Sequence, residues 1–212
     1  KQGGSFIIPS YQRGYVWGQE KPGLKKNSVL NIIDTLIDGF TDKKDVFLQG
    51  ITVCEKGADI ILVDGQQRTT FFYLLLKTLG DDKIITIIYN SSRGASATDV
   101  SPQLWLNNFS SKTDCTENIS EPTQDVYFFK KTVRLIKEHV LFKANHEKLI
   151  TYIRKHVRFL LIPIPASLAV STFTMMNGNK AKTVGILKKR KAVFYIRNFS
   201  CPLRRNPFIA GH

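Results

Sequence analysis

At 212 residues, with 42% hydrophobic and 11% aromatic content, the chain has the size and composition of one large globular domain or of a domain with an appendage. No apolar run approaches the ~18 residues of a membrane-spanning helix, and no signal peptide is visible. A cytoplasmic protein without membrane contact is therefore expected. Three widely spaced cysteines, Cys54, Cys115 and Cys201, form no metal-ligand pair and predict a reducing compartment.

The net charge of +14 is concentrated at one end of the chain. Residues 1–147 contain all 17 acidic residues and 18 of the 31 Lys and Arg residues, whereas residues 148–212 contain the other 13 and no acid. A basic end of this kind is typical of a nucleic-acid contact, an anionic surface or a disordered tail.

The chain begins with a short strand and an aromatic loop. Residues 6–9 predict the strand, which a proline ends. Residues 10–17 contain two tyrosines, a tryptophan and a single cation, Arg13. Large rings with a polar tip are typical packing anchors, so packing accounts for the aromatic residues of this loop. Packing accounts least for the charged side chain of Arg13.

A helix and a glycine-containing strand follow. Apolar residues recur with helical period over residues 24–40, and Gly39 is expected to end the helix. Residues 47–54 predict a strand that contains Gly50. A glycine inside a strand predicts a bulge or a close approach of another backbone.

A strand, a tight turn and a helix come next, and the rest of the chain is organised around them. The apolar run Ile60–Val63 predicts a buried strand, which Asp64 and Gly65 interrupt. Helical spacing of apolar residues then predicts a helix over residues 66–79. The free N–H groups and positive dipole end of such a helix favour an anion, and Arg68 adds a fixed fork of donors. The start of this helix is therefore a candidate phosphate site.

The same residues also fit a purely structural role. Asp64 is a suitable helix cap, Gln67 three residues later completes a capping box, and Arg68 would then be a solvated side chain. The spacing alone leaves both interpretations open.

The second half of the chain is predicted to be mostly helical around two further strands. Residues 84–89 predict a strand, and residues 90–123 predict a long polar, mobile excursion with one apolar island at residues 104–106. Two amphipathic helices are predicted over residues 124–142 and 146–157.

A strand over residues 159–164 is expected to rejoin the sheet, followed by a helix over residues 166–176. The apolar residues of the tail fit no sustained period, so no ordinary element is predicted there. Interleaved helices and strands predict an α/β (α+β) fold. The predicted divisions are a core over 1–92 with both motifs, a polar loop and helical excursion over 93–157, a return strand and helix over 158–180, and a basic tail over 181–212.

The aromatic loop and the strand-turn-helix together resemble one family. The two motifs that carry the resemblance are Ile8-Pro9-x-Tyr11-Gln12-Arg13-x-Tyr15-x-Trp17 and, about fifty residues later, Asp64-Gly65-Gln66-Gln67-Arg68-x-Thr70. In this order and spacing they resemble the N-terminal domain of GmrSD-type restriction enzymes, which is related to the nuclease/CTPase fold of ParB and to sulfiredoxin. Residues 47–51 and 173–178 fit the same pattern, and the resemblance covers roughly residues 5–180. It implies a ParB/sulfiredoxin-like mixed sheet with flanking helices and a helical excursion.

The family implies a nucleotide-binding and nucleotide-hydrolysing module in prokaryotic phage defence against foreign, often modified, DNA. Carried over to this chain, it implies Asp64, Arg68 and Arg13 as catalytic residues. Asp64 is the only acid in the two motifs, and it would hold Mg²⁺ or position a water. The nucleoside triphosphate, of unknown identity, would be held through its phosphates by a single pocket. The residues implied for that pocket are Tyr11, Gln12, Arg13, Gly65, Gln66, Gln67, Arg68 and Thr69.

The chain also departs from the family pattern. Full-length relatives commonly carry a C-terminal His-Asn-His (HNH) nuclease domain, but the four histidines here form no such pattern, so that domain is expected to be absent from this chain. A P-loop is excluded because no Gly-x-x-x-x-Gly-Lys-Ser/Thr sequence occurs. After Lys182 the resemblance ends, and a genuine DNA-binding tail, a truncation and a frameshifted end all remain open.

The prediction is thus the nucleotide-sensing, hydrolase part of a restriction system, with DNA and a nucleotide as partners. Rival hypotheses are a non-catalytic DNA-binding module using Arg13, Arg68 and the basic tail, a metal-dependent endonuclease acting through the core itself, and an inactive gene fragment. A homo-oligomer is one option that the sequence leaves open.

Overall fold

The computed structural model describes residues 4–20, 22–81, 84, 86–91, 101–113, 115, 123–165 and 195–198. These residues form six strands, five α-helices and one 3-10 turn. The elements in chain order are β1 (Phe6–Ile8), α1 (Ser28–Asp42), β2 (Val46–Lys56), β3 (Asp59–Asp64), α2 (Gln66–Thr78), β4 (Ile87–Tyr89), α3 (Pro102–Asn108), α4 (Gln124–Glu138), a 3-10 turn (Val140–Lys143), α5 (His146–His156), β5 (Val157–Pro163) and β6 (Tyr195–Asn198).

The strands form one mixed sheet in the order β4-β1-β3-β2-β5-β6. Strand β1 is parallel to both β3 and β4, and β2 is parallel to β5. The pairs β2-β3 and β5-β6 are antiparallel. The mixed sheet with helices confirms the predicted α/β fold.

The topology brings the two sequence motifs to one place. Because β1 and β3 are parallel neighbours, with Ile7 opposite Ile61, their carboxyl ends lie at the same edge of the sheet. The aromatic loop begins where β1 ends, and the turn into α2 begins where β3 ends. Segments about fifty residues apart therefore meet at this edge.

Helix α2 lies in the centre of the core and is buried on nearly all sides. Of its 13 residues, only Arg68 and Lys77 are not buried. Phe72 packs edge-on against Phe159 of β5 at 5.2 Å between ring centroids, and Trp17 of the aromatic loop packs at 5.8 Å from Phe71. A helix without a polar face is typical of a core element, so the start of α2 is held firmly in the sheet-and-helix framework.

Most predicted elements are present, and two of the predictions are wrong in an informative way. Helix α1 does not end at Gly39 but continues to Asp42, where Lys43 takes the left-handed conformation with φ of 56°. The island predicted within a mobile excursion is helix α3, whose Trp105 is buried and stacks on Phe109 at 4.8 Å. Local sequence missed both because each depends on packing against distant residues.

Several strands differ in extent from the prediction. Strand β4 is shorter than predicted, β2 is longer, and β5 begins two residues earlier. The register of β2 on β5 shifts between Leu48 and Ile51, which is consistent with the bulge that is one of the two predictions for Gly50. One four-residue strand, β6, lies in the tail for which no element was predicted. The helix predicted over residues 166–176 lies outside the described residues, as does most of the tail.

Candidate functional site

The turn between β3 and α2 requires glycine. Gly65 has φ of 92°, a left-handed conformation that L side chains rarely adopt. A Cβ atom at this position would also lie 3.0 Å from Cγ1 of Ile51 on β2. The backbone conformation and the close approach of Ile51 together explain why glycine occupies this position.

No side chain caps α2. The cap position is Gly65, and the carboxyl side chain of Asp64 is 68% exposed to solvent, so the capping-box interpretation is wrong. Each of the other four described α-helices has a side chain that accepts a hydrogen bond from its first turn. Those four capping residues are Asn27, Ser101, Thr123 and Asn145.

The uncapped start leaves three backbone N–H groups without a helical acceptor. The first bond of this helix runs from the N–H of Thr69 to the carbonyl oxygen of Gly65 at 3.0 Å. The N–H groups of residues 66–68 precede that bond and therefore have no carbonyl one turn back to accept them. Together with the positive end of the helix dipole they favour an anion.

The two glutamines of the first helical turn hold the aromatic loop through their side chains. Nε2 of Gln66 donates to the Arg13 carbonyl oxygen at 2.7 Å, and Nε2 of Gln67 donates to the Gly14 carbonyl oxygen at 3.0 Å. Oε1 of Gln67 in turn accepts from the N–H of Val16 at 2.9 Å. Their amides thus fix the loop beside the helix start.

Gln12 fixes the beginning of the same loop. Its Nε2 atom donates to the carbonyl oxygen of Val63 at 2.7 Å, so the loop is tied to the end of β3 as well as to α2. The hydroxyl of Ser91 donates to the Gln12 carbonyl oxygen at 2.7 Å from the other side. Each of these contacts joins segments at least fifty residues apart in sequence.

Arg68 is oriented by strand β2. Its Nη1 atom donates to Oε1 of Gln49 at 2.7 Å and its Nη2 atom donates to the carbonyl oxygen of Gly50 at 2.6 Å. The Asp64 carboxylate lies 3.7 Å from Nη2, and the Arg68 side chain is only 16% exposed. The buried Nε atom of Arg68 has no hydrogen-bond partner among the described residues. The guanidinium is therefore fixed by β2, and its Nε–H group is buried without an acceptor among these residues.

A pocket of about 140 Å³ lies in front of these groups. Arg13 is exposed at the pocket, and no hydrogen bond or ion pair of its guanidinium is found among the described residues. The residues that line the pocket are Gln12, Arg13, Trp17, Asp64, Gly65, Gln66, Gln67 and Arg68.

The site residues predicted from sequence and the residues that line the pocket differ at three positions. Tyr11 and Thr69 were predicted to bind phosphate but do not line the pocket. Thr69 is buried, and its hydroxyl donates back to the Gly65 carbonyl oxygen at 3.2 Å. Burial, with a smaller contribution from Cys54, raises the pKa of Tyr11. Trp17 lines the pocket and was not predicted, although its place in the first motif was a usable signal.

The donor set at the pocket includes a single carboxylate, that of Asp64. No group of three or more His, Cys, Asp or Glu side chains that could hold a metal ion occurs among the described residues. One exposed carboxylate is a suitable donor for Mg²⁺, which prefers oxygen and usually takes several of its ligands from water and phosphate.

These features define an α/β domain with a polar, anion-favouring pocket at the end of two parallel strands. Comparison with models of protein families matches residues 1–183 to the model described as GmrSD restriction endonuclease, N-terminal domain. The chain therefore belongs to the family of GmrSD restriction endonuclease N-terminal domains. A search of curated proteins returns no match.

Membership in this family associates the chain with restriction endonucleases, enzymes of the hydrolase class whose substrate is DNA. Within the described part of the chain, every helix is too short or too polar to cross a bilayer.

Proposed function

We propose that this domain binds the phosphates of a nucleoside triphosphate at the start of α2 and hydrolyses the nucleotide to control DNA cleavage. The observation that carries the proposal is the uncapped start of α2, which lies at a pocket lined by two arginines, Arg13 and Arg68. Uncapped N–H groups beside fixed positive charges favour an anion such as phosphate.

The remaining donors of the pocket have the chemistry that phosphate requires. The three backbone N–H groups of residues 66–68 have no helical acceptor at the start of α2. The guanidinium of Arg13 adds a second positive charge to that of Arg68 at the pocket. Arg68 is already oriented by Gln49 and Gly50, so little side-chain freedom would be lost on binding. Arginine, backbone N–H groups and a helix start are the usual partners of phosphate oxygens.

Asp64 is the group we assign to the hydrolytic step. Asp64 lines the pocket, and its exposed carboxylate lies 3.7 Å from Nη2 of Arg68. It would hold Mg²⁺ together with phosphate oxygens, or orient the attacking water. A bound Mg²⁺ supplies charge neutralisation on the phosphates.

The link to DNA follows from the family. Nucleotide turnover in this domain would gate a DNA-cutting HNH-type domain that acts on foreign or modified DNA. The rival in which Arg68 contacts DNA phosphates relies on the same oriented guanidinium, so the two hypotheses are separated by experiment.

The test is nucleotide binding and phosphate release with Mg²⁺ for the whole chain, measured for each of the four ribonucleoside triphosphates. Arg13→Ala is expected to weaken binding about tenfold by removing one charge-assisted contact. Asp64→Asn is expected to bind nucleotide and release no phosphate. Arg134→Ala, which removes an arginine on α4 away from the pocket, is the matched control and should behave as the unmodified chain.

Each outcome has a definite meaning. Turnover that survives Asp64→Asn would remove that residue from the chemistry. Binding without turnover in the unmodified chain would make the domain a nucleotide sensor. If a folded sample neither binds nor turns over any nucleotide, and instead binds DNA with a steep salt dependence, the DNA-binding module is the correct function.

A further inference from the structure

The segment that carries Arg13 is held by two helices. From α2, the side chains of Gln66 and Gln67 bond its backbone at residues 13, 14 and 16. A second set of contacts comes from helix α4, whose second residue is Asp125. Gln66, Gln67 and Arg13 line the pocket, whereas Asp125 does not line it and has no part in the proposed chemistry.

Asp125 is a fully buried carboxylate aimed at this segment. Its Oδ1 atom accepts hydrogen bonds from the N–H of Tyr15 and from the hydroxyl of Tyr89, the latter at 2.7 Å. The Tyr15 N–H also lies 2.9 Å from the Tyr89 hydroxyl oxygen. A Cβ atom on Gly14 would lie 2.5 Å from Oδ1, so glycine is what allows the carboxylate to come this close.

The neighbouring contacts make this a defined arrangement. Burial raises the pKa of Tyr89 and the charge of Asp125 raises it further, so the hydroxyl of Tyr89 remains a donor to the carboxylate. The side chain of Tyr15 is also fixed on α4, with its hydroxyl 3.1 Å from that of Thr132 and its ring 5.4 Å from that of Phe129. The backbone at residue 15 is therefore anchored on α4.

A helix-capping role does not explain this carboxylate. Thr123 already caps α4 by accepting from the N–H of Val126 at 3.3 Å. Asp125 instead reaches a backbone N–H that is 110 residues away in sequence, two residues after Arg13. A charged group is costly to bury unless it is hydrogen-bonded, so these contacts define where the segment can lie.

We propose that Asp125 is a positioning residue: by holding the backbone of Tyr15 on α4 it sets the place of the Arg13 guanidinium at the mouth of the pocket. This inference rests on the proposed phosphate-binding function. It assigns to α4 an indirect effect on the affinity of a pocket that the residues of this helix do not line.

The first test measures the affinity of the whole chain for inorganic triphosphate. Asp125→Asn, which replaces a charged acceptor by a neutral amide of the same shape, is expected to weaken binding about five- to tenfold. Tyr89→Phe removes only the bridging hydroxyl and should act in the same direction, about twofold, while folding normally. The matched control is Asp81→Asn, another buried carboxylate, which accepts from Arg154 and should leave the affinity unchanged.

A double variant separates positioning from general destabilisation. If Asp125 acts through Arg13, then Arg13→Ala combined with Asp125→Asn should bind no more weakly than Arg13→Ala alone. Losses that multiply in the double variant would overturn the inference, as would unchanged affinity in Asp125→Asn.

Amide hydrogen exchange gives a readout that does not need a ligand. We expect Asp125→Asn to speed exchange at residues 15 and 16 about tenfold or more, while Asp81→Asn leaves them protected. If the unmodified chain binds no triphosphate, the proposed function fails, and exchange still tests the anchoring. If residues 15 and 16 stay protected in Asp125→Asn, the positioning role fails whatever the chain binds.

Discussion

The guanidinium of Arg68, in the first turn of α2, donates a 2.6 Å hydrogen bond to the carbonyl oxygen of Gly50 in the irregular part of β2. A strand carbonyl that a neighbouring strand would normally bind is thus satisfied by a helix side chain. The contact ties the start of α2 to the sheet. It also makes Arg68 a structural residue as well as a residue of the pocket, which affects how its variants must be interpreted.

Arg68→Ala is expected to lower the free energy of unfolding by about 1.5–3 kcal/mol, because the Gly50 carbonyl would lose a charged donor. Gln49→Ala should cost less, about 0.5 kcal/mol, since it removes the more exposed of the two contacts of Arg68. Urea denaturation of both variants measures the difference. Equal stability of Arg68→Ala and the unmodified chain would mean that the contact with Gly50 contributes nothing.

Gly65→Ala is expected to destabilise the protein more than Gly57→Ala does. Both glycines have positive φ, 92° and 63°, so both variants carry left-handed strain of about 1–2 kcal/mol. Only at Gly65 would the new Cβ atom meet a neighbour, Cγ1 of Ile51 at 3.0 Å, whereas at Gly57 nothing lies within 4 Å. The difference in unfolding free energy between the two variants isolates the packing cost, and a difference of zero would contradict this geometry.

Gly39→Ala tests packing against helix propensity in α1. Alanine favours a helix interior by up to about 1 kcal/mol over glycine. A Cβ atom at Gly39, however, would collide with the hydroxyl of Tyr152 and lie 2.5 Å from Cγ2 of Val46. Tyr152 cannot easily withdraw because its hydroxyl donates to the Lys44 carbonyl oxygen at 2.8 Å.

We therefore expect Gly39→Ala to lower the melting temperature. The expected loss of unfolding free energy is about 1–3 kcal/mol, which is typical of overpacking. Adding Tyr152→Phe should cost less in the Gly39→Ala background than in the unmodified chain, because it removes the colliding oxygen. A stabilised Gly39→Ala protein would show that propensity outweighs the contact.

Asp34 should make folding stability sensitive to acid. The hydrogen bond from Lys26, at 2.6 Å, lowers the pKa of Asp34; burial opposes this shift, and His139 at 3.1 Å adds to it. Because the folded pKa lies below the unfolded one, of about 3.9, this contribution is fully present above about pH 4 and is lost as the pH falls through the folded pKa. Asp34→Asn should flatten the loss of melting temperature on acidification in this window.

The control for this pH dependence is Asp38→Asn on the same helix. Asp38 is exposed and forms no ion pair with any described residue, so its variant should follow the unmodified chain between about pH 6 and pH 2. If Asp34→Asn gives the same profile as Asp38→Asn, the ion pair with Lys26 does not stabilise the folded state.

Several site residues could be predicted from sequence because they stand in unusual local patterns. Asp64, Gly65 and Arg68 interrupt an apolar strand and open a helix, and the structure places all three at the pocket. Arg13 was the residue of the aromatic loop that packing explained least, and its guanidinium is exposed there. The aromatic pattern predicts Trp17 as a packing anchor, and this residue lines the pocket as well as packing on Phe71.

The roles of the glutamines could not be read from local sequence. Gln66 and Gln67 were predicted to contact phosphate, and Gln67 alternatively to complete a capping box with Asp64. Their amides bond the backbone of residues 13–16, and both residues line the pocket, so contact with phosphate stays a prediction. Which acceptor an amide finds depends on a segment about fifty residues away, and no spacing within the motif encodes that choice.

Short-range periodicity is enough to predict most of the helices and strands, because burial of one face repeats every two residues in a strand and every 3.6 residues in a helix. The turn at Gly65 is also predictable from sequence, because its backbone conformation requires glycine. The contact of Arg68 with Gly50 and the contact of Asp125 with the N–H of Tyr15 could not be predicted from sequence, because each joins residues of different elements that meet only in the folded chain. The parallel pairing of β1 with β3 likewise brings two motifs about fifty residues apart to one edge of the sheet.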